Sequence, residues 1–395
     1  MVVKPKVRGF ICTTAHPAGC KANVAQQIAV VKKGQPFKGP KKVLVLGCST
    51  GYGLSSRIAA AFGAGAATLG VAFERPAVRT RTATAGWYNT AFEEFAQADG
   101  LYAKTIMGDA FSEEVKKQVI ETLKKDLGKV DLVIYSLAAP RRTVGDKNYA
   151  SALKPIGEPF TSKSLDIANM TVSEATIQPA TQKEIDGTIK VMGGEDWQWW
   201  MQALKEADAL AENVCTVAYS YIGPELTYPL YYAGTVGQAK KDLYASAKRI
   251  TALLSSLQGK ALISINKALV TQSSAAIPVV PLYISVLFKI MKAKGTHEGC
   301  IEQMYRLFSQ KLYQPKLPLD TEGFLRMDDW ELKPEIQEQV NRAWAEICAD
   351  NVQELSDMEG YRHDFFGLFG FDVAGVDYDA DVDIHVNIPS IAGEK

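Results

Sequence analysis

Charge of one sign is missing from this chain: 44 basic residues balance 44 acidic ones, and the formal net charge is zero. Proteins that track a polyanion or lie on an acidic membrane carry a one-sided excess, so neither nucleic acid nor a membrane surface is an expected partner. Long hydrophobic runs are missing too. The longest apolar stretch, 277–290, is interrupted by Pro278, Pro281 and Lys289 and is too short to cross a bilayer; it reads as the cover of a pocket. The start carries Lys4, Lys6 and Arg8 but no apolar signal core, which predicts a cytoplasmic protein. Cysteine is sparse and scattered, at Cys12, Cys20, Cys48, Cys215, Cys300 and Cys348, the pattern of reduced core thiols. Cys12, His16 and Cys20 lie four apart, a spacing that would align metal ligands on a helix. Pro17 and Gly19 should break that helix and no fourth ligand is close, so no metal is expected. What the chain does have is apolar material, 47% of 395 residues, which supports a sizeable core.

The most informative stretch is VLVLGCSTGYG at 43–53, an apolar run that enters three glycines, Gly47, Gly51 and Gly53. Continuous apolar runs of this kind are buried parallel strands, and glycines just beyond them let backbone approach a pyrophosphate. The segment 54–62 reads as the helix whose first amides would hold the phosphate charge. A second strand, 68–73, ends in Glu74, 21 residues past Gly53. A carboxylate there suits both hydroxyls of an adenosine ribose and repels a 2′-phosphate. The rival reading is a class I methyltransferase, whose S-adenosylmethionine turn VLVLGCSTG resembles. Those enzymes usually carry an acid inside the first strand, where this chain has Val45, which favours a dinucleotide.

Alternation continues with a strand at 101–107, a helix at 112–127 and a strand at 130–136, a doubly wound α/β pattern. About sixty polar, threonine-rich residues then intervene, and a structureless loop of that length is improbable, so hairpins or short helices are expected within it. A helix at 196–212, strand 214–221, helix 235–257, strand 261–266 and apolar helix 277–293 follow, with further helices near 298–311 and 334–349. No linker or repeat is visible. The expected fold is one enlarged Rossmann domain, 1–395, with a parallel sheet, an insertion at about 141–195 and a C-terminal extension at about 295–395.

A nicotinamide reductase commonly uses a tyrosine beside a lysine, whose ammonium holds the ribose and lowers the phenol's pKa. Two pairs compete. Tyr244 and Lys248 have the Y-x3-K spacing of short-chain dehydrogenases and would share a helix face. Tyr231 and Lys240 are nine apart, which on a continuous helix means about 180° and about 13 Å of separation. Pro229, Gly234 and Gly237 remove that objection by predicting a loop that folds Tyr231 back beside Lys240.

HPAGC at 16–20, LGCSTGYG at 46–53, AGWYN at 85–89, DAFS at 109–112, YSLAAPRR at 135–142, VMGGEDW at 191–197, SYIGPE at 220–225, HEGCIEQ at 297–303 and GYRHDF at 360–365 together resemble the FabV-type trans-2-enoyl-CoA and enoyl-acyl-carrier-protein reductases. The resemblance runs from Val3 almost to the end. It implies NADH-dependent reduction of the trans-2 double bond of an enoyl thioester, the last reductive step of fatty-acid elongation: hydride reaches C3, the thioester oxygen becomes an enolate, and C2 is protonated. It places the catalytic pair on Tyr231 and Lys240 and a substrate contact on Tyr221, which would assist Tyr231 at the oxygen. It places NADH on Gly47, Cys48, Ser49, Thr50, Gly51, Tyr52, Gly53, Phe73, Glu74, Asp109, Ala110, Leu137, Ala138, Lys240, Leu269, Val270 and Thr271. Without the resemblance, Asp109 reads equally as a turn or capping residue and Tyr221 as a core residue.

Other readings stay open at this level. A ketone or aldehyde reductase would use Tyr244 with Lys248, and a non-catalytic NAD sensor would need neither pair. Glu74 favours NADH, although Arg75, Arg79 and Arg81 stand close enough in sequence to neutralise a 2′-phosphate. The family's C-terminal region has been labelled flavin-binding, but this chain offers only Gly367-Leu368-Phe369-Gly370-Phe371 there, and no flavin is expected. Trp197 and Trp200, with Trp199 between them, read as core packing on a helix, and the 277–290 helix as the acyl pocket. His297 and His363 receive no role. Arg141, Arg142, Lys147 and Lys154 would be the patch for an acidic carrier protein, although clustered charges usually form a solvated face. The terminal additions would cover surfaces that smaller relatives use for assembly, which predicts a monomer.

Overall fold

The apolar runs form the sheet they predict. In the computed structural model, which describes residues 1–74, 84–167 and 169–392, seven parallel strands make one sheet: β1 Lys42–Leu46, β2 Ala67–Ala72, β3 Ala103–Met107, β4 Val130–Tyr135, β5 Leu210–Ser220, β6 Lys260–Ile265 and β7 Leu325–Arg326. Their order is β3-β2-β1-β4-β5-β6-β7, every neighbouring pair parallel. The chain therefore builds outward from β1 to β3 and then reverses at the β1/β4 boundary, where an open α/β sheet binds ligands beyond its strand ends. Val43, Leu44, Val45 and Leu46 are all fully buried. Full burial of one such side chain is worth about 1.5–3 kcal/mol, so an acid at Val45 would remove that term and add an unpaired buried charge.

Helices Gly51–Ile58, Thr84–Ala98, Glu113–Thr122, Glu195–Glu206 and Thr235–Leu253 flank the sheet. Two of them turn into π-helical segments at their ends, Ala59–Gly63 and Leu123–Leu127. Within the first helix, Arg57 is fully buried. Its guanidinium donates to Thr68 Oγ1 at 3.1 Å, Asn89 Oδ1 at 3.0 Å and Thr105 Oγ1 at 2.8 Å, tying the helix to β2, β3 and the Thr84–Ala98 helix.

One helix was expected to fail and does not. Pro17 does not break a helix; it opens one, Pro17–Lys33, as the first residue after His16, whose Nδ1 accepts from Gly19 N at 3.2 Å. Proline's missing N–H costs nothing in a first turn, where that donor has no helical partner. The inserted residues form two hairpins, Arg141–Val144 with Lys147–Ala150 and Phe160–Asp166 with Thr171–Ile177, and the helix Gln182–Met192.

The helix Val280–Ala293 is buried over almost its whole length. It packs against helices Pro334–Glu346 and Met358–Gly367 and against the second hairpin. That hairpin is tied to the C-terminal segment by Lys163 Nζ, 2.7 Å from Trp344 O. The surplus of apolar residues that suggested a pocket wall is thus mostly core; only Ile277 and Val280 border the cleft. Trp197 and Trp200 are fully buried, while Trp199 is part-exposed under the Arg142 guanidinium at 4.7 Å.

Candidate active site

A cleft of about 630 Å³ runs along the carboxyl ends of β1 to β6. Its floor at the switch point is the turn after β1. Gly47 has φ +91°, and a Cβ there would lie 2.2 Å from Ser136 O, so only glycine lets β1 and the loop after β4 come this close. A Cβ on Gly53 would lie 1.9 Å from Gly47 O, which makes it the packing glycine between helix and turn. The helix starts at Gly51 after Thr50, whose side chain makes no capping bond, so its first amides remain for an anion.

Most of the expected cofactor residues meet here. Gly47, Ser49, Thr50, Gly51 and Tyr52 line the cleft, as do Phe73, Glu74, Asp109, Ala110, Leu137, Ala138, Lys240, Leu269 and Thr271. Cys48, Gly53 and Val270 do not border it. Cys48 is buried behind the turn with Sγ 3.4 Å from Asn89 Oδ1, and burial pushes its thiol pKa up. Phe73 is 62% exposed, an unusual state for a phenylalanine and a ready platform for a flat ring. Glu74 does more than face the cleft: its Oε1 accepts from Thr84 N at 2.8 Å, capping the helix that follows. Asp109 likewise accepts from Phe111 N at 3.0 Å, so the turn reading and the cleft reading both hold. Arg75, Arg79 and Arg81 lie outside the described residues.

On the opposite wall stand the tyrosines. A loop of 228–234 precedes the helix Thr235–Leu253 and folds back onto its first turn. A Cβ on Gly237 would sit 1.8 Å from Tyr232 O and 2.6 Å from Tyr231 O, which is how a Y-x8-K pair escapes helical geometry. The insertion pins this corner: Thr235 N donates to Lys154 O at 3.0 Å and Lys154 N to Thr235 Oγ1 at 3.3 Å.

Four tyrosines line the cleft, Tyr52, Tyr219, Tyr221 and Tyr231. Tyr52 donates to Lys267 O at 2.6 Å. Ser56 Oγ gives its hydrogen to Tyr52 O at 2.6 Å, so the 2.5 Å contact between Ser56 Oγ and Tyr219 is donated by Tyr219. Tyr221 donates to Glu331 Oε1 at 3.0 Å. Among the described residues the Tyr231 hydroxyl has no hydrogen-bond partner. Tyr231 meets Tyr221 edge to face, ring centroids 4.9 Å apart at 82°.

Two expectations need correction. Tyr231's phenol is not acidified: burial, with a smaller contribution from Tyr244, pushes its pKa up. The Lys240 ammonium is bonded to Tyr219 O at 3.1 Å instead, and burial pulls its own pKa down to about 8. Tyr221 also does not offer its hydrogen to the cleft, since Glu331 holds it. The rival pair stays out of the site: Tyr244 is bonded to Ser220 Oγ at 2.8 Å against Phe324, and Lys248 is exposed further along the helix and does not border the cleft.

The presumed basic patch also disperses. Arg142 is buried and bonded to Glu195 at 3.0 Å, and Lys154 pairs with Glu184 at 2.6 Å, which leaves Arg141 and Lys147 exposed. His297 is half-buried against Phe288, and desolvation lowers its pKa to about 3. Among the described residues no group of histidines, cysteines and acids is arranged to hold a metal, and no helix is long and apolar enough to cross a membrane.

Comparison with known proteins fits this geometry. Residues 2–79 match a family described as the NAD(P)H binding domain of trans-2-enoyl-CoA reductase, and 81–313 one described as its catalytic region. Residues 319–382 match one described as an enoyl reductase FAD binding domain. The chain is 57% identical over 394 residues to a trans-2-enoyl-CoA reductase [NADH] of Ruminiclostridium cellulolyticum, covering 99% of this chain and 100% of that protein. It is 56% identical over 391 residues to an enoyl-[acyl-carrier-protein] reductase [NADH] of Opitutus terrae, covering 98% and 99%. The crystal structure of a Treponema denticola trans-2-enoyl-CoA reductase in complex with NAD superposes with a TM-score of 0.94 at 48% identity, covering 98% of this chain and 100% of that one.

The 319–382 segment does not fit a flavin. None of its residues borders the cleft. Its glycine turn is filled by protein: Gly370 has φ +73°, and a Cβ there would lie 2.5 Å from Cys20 N in the Pro17–Lys33 helix.

Proposed function

This chain belongs to the trans-2-enoyl-CoA reductase family, and we propose that it reduces the double bond of a trans-2-enoyl thioester with NADH in the β1/β4 cleft, with Tyr231 as the donor to the thioester oxygen. One observation carries that role. Of the four cleft tyrosines, Tyr231 alone keeps a hydroxyl hydrogen that no acceptor among the described residues holds. A phenol is protonated at neutral pH, as a donor must be, and burial pushes the pKa of this one further up.

The residues present suit NADH. The Gly47 cradle and the amides after Thr50 would take the pyrophosphate, Phe73 the adenine and Glu74 its ribose. When bound, NADH supplies the hydride that adds to C3. The chain's own work is at the oxygen and the ribose. Negative charge gathers on the thioester oxygen as C3 is saturated, and a donor fixed in advance stabilises it without reorganisation. Lys240, with one ammonium hydrogen committed to Tyr219 O, has two left for the nicotinamide ribose. Ile277 and Val280 provide apolar contact for the first carbons of the acyl chain. Coenzyme A is the favoured carrier, because two of the four basic residues that would form a patch for an acidic carrier protein, Arg142 and Lys154, are taken up by internal ion pairs.

We further infer one folding unit, a monomer working in the cytoplasm. β1, in the first matched region, pairs with β4 in the second, and β6 pairs with β7 in the third, so each matched region contributes to the one sheet. The test of function is NADH oxidation with crotonyl-CoA by wild type and Tyr231→Phe. Turnover that is lost in the variant supports the reading; no turnover of any enoyl thioester despite NADH binding would defeat it.

A further inference from the structure

Behind the cleft lies a buried carboxylate that the reaction above does not use. Glu331 is fully buried and borders no solvent space. Three donors converge on it: Tyr221 hydroxyl on Oε1 at 3.0 Å, Tyr283 hydroxyl on Oε1 at 2.6 Å, and Ala268 N on Oε2 at 2.7 Å. A site built entirely of donors is complementary to an ionised carboxylate. The positive counterpart is Lys267, also buried, which interacts electrostatically with Glu331 and donates to Ala268 O at 3.1 Å. Burying such a pair is costly, and proteins that keep one need not gain stability from it.

Its placement says what it does. Glu331 grips the cleft wall at two points, the Tyr221 ring and the Ala268 backbone, both of which border the cleft. Tyr221 in turn stands edge-on to Tyr231. A phenol without the carboxylate would be free to rotate its hydrogen toward Tyr231 or the substrate and compete for the thioester oxygen's position.

We propose that Glu331 is a positioning residue of the reductase: by holding the hydrogen of Tyr221 it fixes that ring against Tyr231, so that Tyr231 is presented to the thioester oxygen in one orientation. The 319–382 segment then serves the reductase site by supplying this carboxylate. The inference rests on the Tyr231 reading and deepens it.

A double-mutant cycle between Glu331→Gln and Tyr221→Phe tests it, with kcat on crotonyl-CoA and the NADH dissociation constant from fluorescence as readouts. Glutamine keeps the shape. Ala268 N–H will claim its oxygen, leaving the amide NH₂ to face the two phenols, so the hold on the Tyr221 hydrogen is lost. Glu331→Gln should lower kcat about 10-fold, the size of one hydrogen bond to a charged group, and leave NADH binding unchanged. In the Tyr221→Phe background the same change should alter kcat by less than about 2-fold, because the group through which Glu331 acts is gone. Equal loss in both backgrounds, or weakened NADH binding, overturns the proposal. If Glu331→Gln does not fold, Tyr283→Phe removes a donor from the same carboxylate oxygen and lies outside the cleft. It should cost about 3-fold in kcat, again only when Tyr221 is present; a loss that persists with Tyr221→Phe is the contrary result. Wild-type turnover separates the two levels: its absence defeats the functional reading, while its presence with an additive cycle defeats only the role of Glu331.

Discussion

Two tyrosine and lysine pairs share the helix Thr235–Leu253 and the loop before it, and they differ in everything but residue type. Tyr244 and Lys248 have the spacing that puts two side chains on one helical face, yet Tyr244 is bonded to Ser220 and Lys248 points to solvent. Tyr231 and Lys240 have a spacing that a helix would forbid, yet both border the cleft. Spacing guarantees a shared face and says nothing about what the face meets. The loop decides, through a glycine at Gly237 that lets two carbonyl oxygens come closer than a Cβ would allow.

The comparison breaks first at the hydroxyl. Tyr231→Phe should lower kcat about 10²- to 10³-fold, the loss expected for one oxyanion donor, with NADH affinity retained in a fluorescence titration. Second is the loop itself. Gly237→Ala forces a Cβ to within 1.8 Å of Tyr232 O; moving Tyr231 by about 1 Å should cost about 10²-fold in kcat, while circular dichroism still reports the helix. A variant with normal turnover would show that this close approach does not position Tyr231.

Much of this was legible in the sequence, for a local reason. Buried parallel strands are written as continuous apolar runs, and β1 to β6 all appear within a few residues of their expected places. The glycine turn and the Y-x8-K loop are likewise local features. What stayed hidden is what depends on distant partners. Glu331 looks like any acid between Trp330 and Leu332, and its partners lie 110 and 48 residues away. The Val280–Ala293 helix looked like a pocket wall because the sequence does not reveal that the helices Pro334–Glu346 and Met358–Gly367 cover it. Pro17 reads as a breaker in the sequence, but its position, next to a capping His16, makes it a helix start.

A third way to sharpen the contrast is pH. Burial lowers the Lys240 pKa to about 8, so its ammonium is present below that value and is lost as pH rises through it. Its hold on the ribose follows the charge: KM for NADH should be flat below about pH 8 and rise above it. Lys267 is drawn to about 8 as well, and Lys240→Arg tells them apart, because arginine stays charged and should shift the rise to higher pH. A rise that stays in place in Lys240→Arg assigns it to another group. The smallest effects belong to the other pair. Tyr244→Phe should cost about 1 kcal/mol of stability for its bond to Ser220 and change kcat less than about 3-fold. Lys248→Ala, exposed, should stay within about 0.5 kcal/mol in denaturant melts and leave KM for NADH unchanged.

The most direct test sets the two tyrosines side by side in one assay: kcat for NADH oxidation with crotonyl-CoA by Tyr231→Phe and by Tyr244→Phe. A ratio of about 10² or more in favour of Tyr244→Phe is the result expected if the free hydroxyl in the cleft is the donor; equal activities, or a greater loss in Tyr244→Phe, would contradict it.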